Sequence, residues 1–302
     1  MSVYGSVEAG GTKFRCAVGT GPDDLGDELR LDATGPDETL DRVVGFFRGH
    51  ASQLLAVGLG SFGPVDLNPR SSTYGFITAT PKPGWSHTDI AGRLRSALGV
   101  PVGFDTDVAA SALGEGRWGA ARGLGDFVYV TVGTGIGAAI VSGGRLVHGL
   151  VHPEVGHMRV PRHPEDDFAG VCAFHGDCFE GLASGVAIQR RWGAAGAALA
   201  PGHPAWELEA YYLACGLSNL VLTVSPERVV VGGGVLEQQH LLPRVRRHFR
   251  ELLNGYVAAP EVDAGLERFL VAPGLGPRSG ILGGLVLAMQ AHAAARGAGR
   301  GS

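Results

Sequence analysis

The sequence predicts an α/β protein of two similar halves, and three observations support this prediction. Each half opens with two apolar segments joined by a glycine-rich turn, which is the pattern of a β-hairpin. In each half, segments with helical apolar spacing then alternate with short apolar segments, as in α/β architectures. The chain has 302 residues. Because domains commonly hold roughly 100 to 200 residues, two domains are expected.

The first half is predicted to contain three strands, a helix and a strand, then helix, strand and helix after a long connection. Four apolar residues between 38 and 48 recur at helical spacing, whereas residues 54–59 form a short apolar run. The predicted strands are 3–9, 14–18, 28–33, 54–59 and 100–105. The predicted helices are 38–48, 89–98 and 108–117, and the connection covers 61–85.

The second half repeats this theme, with an irregular stretch inserted at 152–180. Its hairpin turn contains Gly133 and Gly135, and a second glycine run follows a later apolar segment. The predicted strands are 127–132, 137–141, 146–147, 228–231 and 268–272. The predicted helices are 182–194, 205–223, one that follows Gly234, and 279–295.

Glycine is the unusual part of the composition. It supplies 50 of the 302 residues, about 17%, against roughly 7% in average proteins. The glycines follow no three-residue period, and apolar residues make up 45% of the chain, which excludes collagen-like and disordered chains. The glycines must therefore serve turns and close approaches in a folded protein.

Charge and hydropathy exclude several classes of function. The net charge is -4 and no run of Lys or Arg occurs, so a nucleic-acid partner is not expected. No apolar segment approaches the roughly 20 residues of a membrane span, and the first residues lack the pattern of a secretory leader. Four cysteines are too few for a disulfide scaffold. A cytoplasmic protein is therefore expected.

Three glycine loops follow predicted strands directly and are candidate phosphate sites. Glycine lets backbone N–H groups approach an anion, and the Thr12 and Thr134 hydroxyls and the Lys13 amine add donors. Each loop alone could equally be a tight turn, and the 133–137 loop lacks the spacing of the dinucleotide fingerprint. Three such loops in two similar halves instead indicate one nucleotide held between two lobes. The loops are Gly10-Gly11-Thr12-Lys13, Gly133-Thr134-Gly135-Ile136-Gly137 and Gly232-Gly233-Gly234.

Eight segments together resemble the ROK family of sugar kinases, and most of all its bacterial zinc-containing fructokinases. They cover nearly the whole chain in the order that the family has. The segments are EAGGTK (8–13), GSFGPVDL (60–67), TPKPGW (80–85), TDVAASALGE (106–115), VGTGIGAAI (132–140), HPEVGH (152–157), HGDCFEGLASG (175–185) and VVGGGV (230–235).

The resemblance implies two actin-like, ribonuclease-H-like lobes with ATP in a cleft between them. It predicts a small lobe at 1–108 together with the C-terminal helix at about 286–302, and a large lobe at 109–285 with a zinc-binding loop at 152–180. The last helix is expected to pack on the first lobe, with Gly280, Gly283 and Gly284 as hinge or close-packing positions. The implied ATP-binding residues are Gly10, Gly11, Thr12, Lys13, Gly133, Thr134, Gly135, Gly137, Gly233 and Gly234. Mg²⁺ is implied with ATP, and a homodimer is common in the family.

Asp107 is the candidate general base for the acceptor hydroxyl. It follows the predicted strand 100–105 where a helix begins, a location suited to the mouth of an α/β cleft. The residues alone leave Asp105 as an alternative base and helix capping as an alternative role for Asp107. The resemblance favours Asp107, because the catalytic aspartate of the family falls on this position.

The resemblance assigns Thr106, Glu154, His157 and Glu180 to the sugar. As isolated residues, Glu154 and Glu180 would fit a solvated loop face. Thr106 stands where many family members have asparagine, and its shorter side chain puts this sugar contact in question.

Four further positions bear on selectivity. Glu8 stands where most members have aspartate, a variant that fits the fructokinase group, and Ala109 stands where asparagine is common. Lys82 and Trp85 lie in the TPKPGW segment and could shape the choice of sugar. Their alternatives are a solvated lysine and a packed tryptophan.

Cys172, His175 and Cys178 form a C-x₂-H-x₂-C pattern with the close spacing of a structural zinc site. A fourth ligand must come from elsewhere, and the ligand set of the family selects His157. The histidines that compete by spacing are His148, His152 and His163. Zinc would order the irregular stretch and the sugar site. It would not activate a nucleophile, since protein ligands fill all four of its positions. Cys16 and Cys215 lie in apolar patterns and are expected to be buried thiols.

The expected function is ATP-dependent phosphorylation of a hexose, foremost D-fructose to D-fructose 6-phosphate. Kinases for glucose, mannose or N-acetylmannosamine are the alternatives within the family. A sugar-sensing DNA-binding regulator is disfavoured, because the first phosphate loop begins at residue 10 and leaves no room for a helix-turn-helix module. A non-catalytic actin-like assembly protein would have no use for Asp107 or for the expected sugar-binding residues Glu154, His157 and Glu180.

Overall fold

A computed structural model describes residues 2–298, and in that range two five-stranded mixed sheets are each covered by helices. The strands are β1 (Val3–Ala9), β2 (Lys13–Gly21), β3 (Asp24–Asp32), β4 (Leu54–Ser61), β5 (Phe76–Ile77), β6 (Thr88–Asp89), β7 (Val102–Thr106), β8 (Phe127–Val132), β9 (Ile136–Ser142), β10 (Arg145–Leu146), β11 (Arg228–Gly232) and β12 (Leu270–Val271). The helices are α1 (Pro36–Arg48), α2 (Ile90–Leu98), α3 (Asp107–Trp118), α4 (Phe179–Ala183), α5 (Gly185–Trp192), α6 (Ala205–Val224), α7 (Leu241–Leu253), α8 (Pro260–Asp263), α9 (Leu266–Phe269) and α10 (Ser279–Ala298).

The chain divides into two units, each with its own apolar core. Within the described residues, unit 1 holds 2–122, His148–His152 and 277–298, whereas unit 2 holds Gly123–Val147 and Pro153–Gly276. The two-domain α/β architecture is confirmed. Unit 1 also takes in residues 109–122, 148–152 and 277–285, which were expected in the large lobe.

The sheet of unit 1 has the order β3-β2-β1-β4-β7. β1 is antiparallel to β2 and parallel to β4, which is in turn parallel to β7. The register pairs Ala9 with Ser61, and Ser61 with Thr106, so these three strands end at one edge of the sheet. This edge carries the turn that begins at Gly10 and the start of α3.

The sheet of unit 2 has the order β10-β9-β8-β11-β12. β8 is antiparallel to β9 and parallel to β11, with Thr131 opposite Gly232. The ends of β8 and β11 therefore bring two of the glycine loops to one sheet edge. Both units follow the predicted theme of a glycine-turned hairpin followed by helices and parallel strands.

Helix α10 packs on unit 1 through glycines. A Cβ on Gly283 would lie 1.6 Å from the carbonyl oxygen of Ala110 on α3. A Cβ on Gly58 of β4 would lie 1.8 Å from the carbonyl oxygen of Gly284. Gly283 and Gly284 are therefore close-packing positions, and a residue with a side chain would force the elements apart.

The secondary structure differs from the prediction in several places. The helices α8 and α9 were not predicted, and α9 covers the first two residues of the strand predicted at 268–272. The single helix predicted at 182–194 is wrong, because Ser184 is extended and separates α4 from α5. The Ala187 N–H donates to the Ser184 hydroxyl over 3.2 Å, so Ser184 is the N-cap of α5. The long connection also contains β5, which pairs with β6. Within residues 2–298, no helix is long and apolar enough to span a membrane.

Candidate active site and metal cluster

Asp107 lies at the first position of α3, directly after β7. Its carboxylate accepts the Val108 N–H over 2.8 Å. The N-cap of α3 is instead Thr106, whose hydroxyl accepts the Ala109 N–H over 3.1 Å. Capping is therefore the role of Thr106 and not of Asp107. The predicted contact of Thr106 with the sugar stays a prediction.

Asp105 is buried beside this turn, and both of its carboxylate oxygens have partners. Oδ1 accepts the Thr106 N–H over 2.8 Å, and Oδ2 lies 3.0 Å from Nε2 of His148. The hydrogen bond from Asp105 raises the pKa of His148. Both carboxylate oxygens of Asp105 are therefore engaged within the fold. The sequence indicates Asp105 as an alternative base and His148 as a competing metal ligand. It does not indicate that the two residues pair with each other.

The first glycine loop turns tightly between β1 and β2. The Gly10 N–H donates to the carbonyl oxygen of Lys13 over 2.9 Å, and Thr12 and Lys13 are exposed. Just before this turn, Glu8 lies 3.3 Å from the Arg15 guanidinium. Burial raises the pKa of Glu8 despite this cation. The loop thus presents an amine and a hydroxyl at the sheet edge where α3 begins.

Lys82 and Trp85 occupy an aromatic cluster in unit 1. Trp85 is fully buried and donates from its indole nitrogen to the Thr34 carbonyl over 3.3 Å. Its ring contacts Phe14 in a tilted arrangement and Phe62 edge-on. The Lys82 amine lies 4.8 Å from the Trp85 ring centre, and burial lowers its pKa. Trp85 is therefore a packed tryptophan, which was the alternative to a role in sugar choice. Lys82 is not the solvated lysine that was its alternative.

In unit 2 the two other glycine loops meet. The Gly185 N–H at the start of α5 donates to the Gly133 carbonyl over 2.7 Å. Gly233 has a φ of 94°, and a Cβ there would lie 2.4 Å from the carbonyl oxygen of Val132. Only glycine satisfies both conditions, because L-residues avoid this backbone region and the space is filled. The strand ends of β8 and β11 are thereby held in backbone contact.

Glu180 and the 154–157 segment pack against the same loop. The Ile136 N–H donates to Oε2 of Glu180 over 2.9 Å. A Cβ on Gly156 would lie 2.1 Å from the Ile136 carbonyl oxygen. Glu154 is exposed just before the short 3₁₀ turn Val155–His157. Glu180 is thus held by the backbone and is not on a freely solvated face.

His157, Cys172, His175 and Cys178 form a tight cluster, with ligand atoms that all lie within 4.8 Å of one another. Nδ1 of His157 is 3.7 Å from the sulfur of Cys172 and 3.6 Å from the sulfur of Cys178. Sulfur and nitrogen ligands on a tetrahedral zinc ion are separated by about 3.6 Å, given bond lengths of roughly 2.3 and 2.1 Å. The donors and their spacing therefore suit Zn²⁺.

The three competing histidines have other partners. His148 pairs with Asp105, and His152 accepts the Val65 N–H over 3.3 Å. His163 accepts the Glu165 N–H over 3.2 Å. Cys16 and Cys215 are buried free thiols, as expected.

A buried polar network anchors the irregular stretch, which sequence reasoning missed. Asp166 is buried, lies 3.1 Å from the Arg191 guanidinium of α5, and accepts the Tyr212 hydroxyl of α6. Arg191 also stacks 4.4 Å above the Phe168 ring. The sequence around Asp166 gives no local signal of this network, because the partners lie on helices 25 and 46 residues later.

Comparison with known proteins gives the family. The family model described as "ROK family" matches residues 4–291. A fructokinase of Zymomonas mobilis is 43% identical over 297 residues, covering 96% of this chain and 97% of the relative. A fructokinase of Pediococcus pentosaceus is 41% identical over 289 residues, covering 96% and 98%. A glucokinase of Halalkalibacterium halodurans is 28% identical over 322 residues, covering 93% of each.

Solved structures agree. The crystal structure of the ROK hexokinase from Thermus thermophilus superposes with a TM-score of 0.76 at 26% identity, covering 95% of this chain and 98% of that chain. The match confirms the actin-like, ribonuclease-H-like fold predicted for the two units. With the family model over nearly the whole chain and two relatives above 40% identity, the protein belongs to the ROK family.

Proposed function

We propose that this protein is an ATP-dependent kinase that converts D-fructose to D-fructose 6-phosphate. The observation that carries the proposal is the difference in identity, 43% and 41% to relatives named fructokinase against 28% to one named glucokinase. The glycine loops and Asp107 supply the groups that phosphoryl transfer needs, namely anion-binding backbone and a base.

Asp107 is proposed as the general base. It takes the proton of the acceptor hydroxyl as that oxygen bonds to the γ-phosphorus, and the bond from phosphorus to the β,γ-bridging oxygen breaks to release ADP. MgATP is the substrate, and the cation neutralises charge on the phosphates. The backbone N–H groups of the three glycine loops are proposed to bind the nucleotide, with Lys13 adding charge.

The sugar is proposed to be held by Thr106, Glu154, His157 and Glu180. Nδ1 of His157 faces the two cysteine sulfurs. This orientation leaves Nε2 for a sugar hydroxyl, so the metal cluster and the sugar contact are compatible. The carboxylate of Glu180 is already oriented by the Ile136 N–H.

Structural Zn²⁺ is proposed in the cluster of His157, Cys172, His175 and Cys178. Elemental analysis of protein purified without chelator should find about one zinc per chain. The Cys178→Ser variant should lose it, whereas Cys16→Ser, a buried thiol in unit 1, should keep it. Absence of zinc from the unmodified protein would contradict the proposal. A homodimer is also proposed, and light scattering measures its mass.

A coupled ADP-release assay with MgATP tests the proposed activity. Fructose, glucose, mannose and N-acetylmannosamine should be compared at equal enzyme concentration. We expect the highest kcat/KM with fructose and a product phosphorylated at O6. A higher kcat/KM with another of the four sugars, or ADP release that ignores added sugar, would overturn the assignment.

A further inference from the structure

We propose that His148 is a positioning residue for the hexose-kinase reaction, an inference that rests on the proposed function. It belongs to the five residues His148–His152, which we call the histidine segment. The chain on both sides of this segment belongs to unit 2, yet the segment itself belongs to unit 1. Something must therefore hold it there.

The first anchor is the pair of His148 and Asp105. Nε2 of His148 lies 3.0 Å from Oδ2 of Asp105, whose side chain is 7% exposed. The other oxygen of Asp105 accepts the Thr106 N–H over 2.8 Å. One carboxylate thus joins the histidine segment to the backbone that leads directly into Asp107. The hydrogen bond from Asp105 stabilises the protonated imidazole of His148 and so raises the pKa of His148.

The second anchor is His152, whose Nε2 accepts the Val65 N–H over 3.3 Å. Between the two histidines, the apolar side chains are not used for packing. Leu150 is 98% exposed and Val151 is 59% exposed. The segment is therefore held by imidazole hydrogen bonds and not by apolar burial, so the loss of one histidine should free it.

The position of the segment in the chain connects this anchor to the sugar. Only Pro153 separates His152 from Glu154, a proposed sugar contact, and His157 follows three residues later. While His148 is held, the chain that leads into Glu154 has fewer conformations. Less conformational entropy is then lost when sugar binding orders Glu154. His148 thereby acts on the affinity for the hexose through Glu154, whereas Asp107 acts on the chemical step.

Three variants test this role by steady-state kinetics with fructose. His148→Ala should raise the KM for fructose about tenfold, because the free energy of one hydrogen bond between charged groups corresponds to about a tenfold change in affinity. It should lower kcat less than threefold. The KM for ATP should not change. His148→Gln keeps an N–H donor for Asp105 and should recover the KM to within about threefold of the unmodified enzyme. His50→Ala, which removes a histidine–aspartate pair in the same unit with a longer distance of 3.6 Å and an exposed carboxylate, is the control.

Hydrogen exchange of residues 148–157 gives a readout that does not depend on activity. His148→Ala should exchange faster than the unmodified protein in this stretch, and His50→Ala should not. Unchanged exchange in His148→Ala, or a KM in His148→Gln as high as in His148→Ala, would overturn the positioning role. If the unmodified protein does not phosphorylate fructose, the proposed function fails, and the exchange experiment still decides whether His148 anchors the segment.

Discussion

Asp107 is the residue on which the proposed chemistry depends most. Its carboxylate accepts the Val108 N–H and is not needed as the helix cap, which Thr106 supplies. Asp107→Asn keeps an oxygen for that hydrogen bond but cannot take a proton. We therefore expect kcat to fall by about 10² to 10⁴, with little change in the KM values for fructose and ATP. Steady-state kinetics of the variant measures both, and a near-normal kcat would reject Asp107 as the base.

A second prediction at the residue scale concerns pH. Because Asp105 raises the pKa of His148 above its ordinary value of 6.5, the folded state favours the protonated imidazole. The stabilisation is complete below pH 6.5 and disappears as the pH rises through the higher folded-state pKa. The Tm advantage of the unmodified protein over His148→Gln should therefore be larger at pH 6 than at pH 9. Thermal unfolding across this range measures it, and an advantage that grows with pH would contradict the assignment.

At the scale of elements, the contact between α3 and α10 depends on the absence of a side chain at Gly283. Gly283→Ala would place a methyl group 1.6 Å from the Ala110 carbonyl oxygen. We expect a loss of about 3 kcal/mol in the free energy of unfolding, at the upper end of overpacking effects. Gly45→Ala is the matched control, because Gly45 is also helical and has open space around its Cβ position. It should stabilise by roughly 0.5 to 1 kcal/mol. Equal unfolding midpoints for the two variants would refute this packing argument.

Elements and loops with local signals could be predicted from the sequence. The strand ends at or next to Gly10, Gly133 and Gly232 were predictable, because apolar runs that stop at glycine carry the information within a few residues. The pairing of Asp105 with His148 was not, since 43 residues separate the partners and neither has a distinctive pattern. The break at Ser184 was missed because the sequence remains apolar at helical spacing on both sides of it.

In the whole molecule, unit 1 is built from segments that lie far apart in the sequence. The strands β1 and β4 lie near the N-terminus, but the helix that packs against them comes from the last residues of the chain. Ser6 of β1 donates to the Ile281 carbonyl over 2.5 Å, a contact across 275 residues. The first unit therefore cannot complete its packing until residues 279–298 have been synthesised.

Removal of α10 tests this dependence. In a chain that ends at residue 276, the faces of β1 and β4 on which α10 packs would be exposed, and the buried side chains of Ile281, Leu282 and Leu285 would be lost. Buried Glu115 would also lose the Ser279 hydroxyl. The burial of three such side chains is worth about 5 to 9 kcal/mol, which is comparable to the whole stability of a typical domain. We expect hydrogen exchange to show lost protection in β1 and β4 and retained protection in β8 and β11. A chain that ends at residue 294 keeps the buried turns of α10 and should remain protected throughout. Native protection of β1 in the shorter chain would show that unit 1 folds without its last helix.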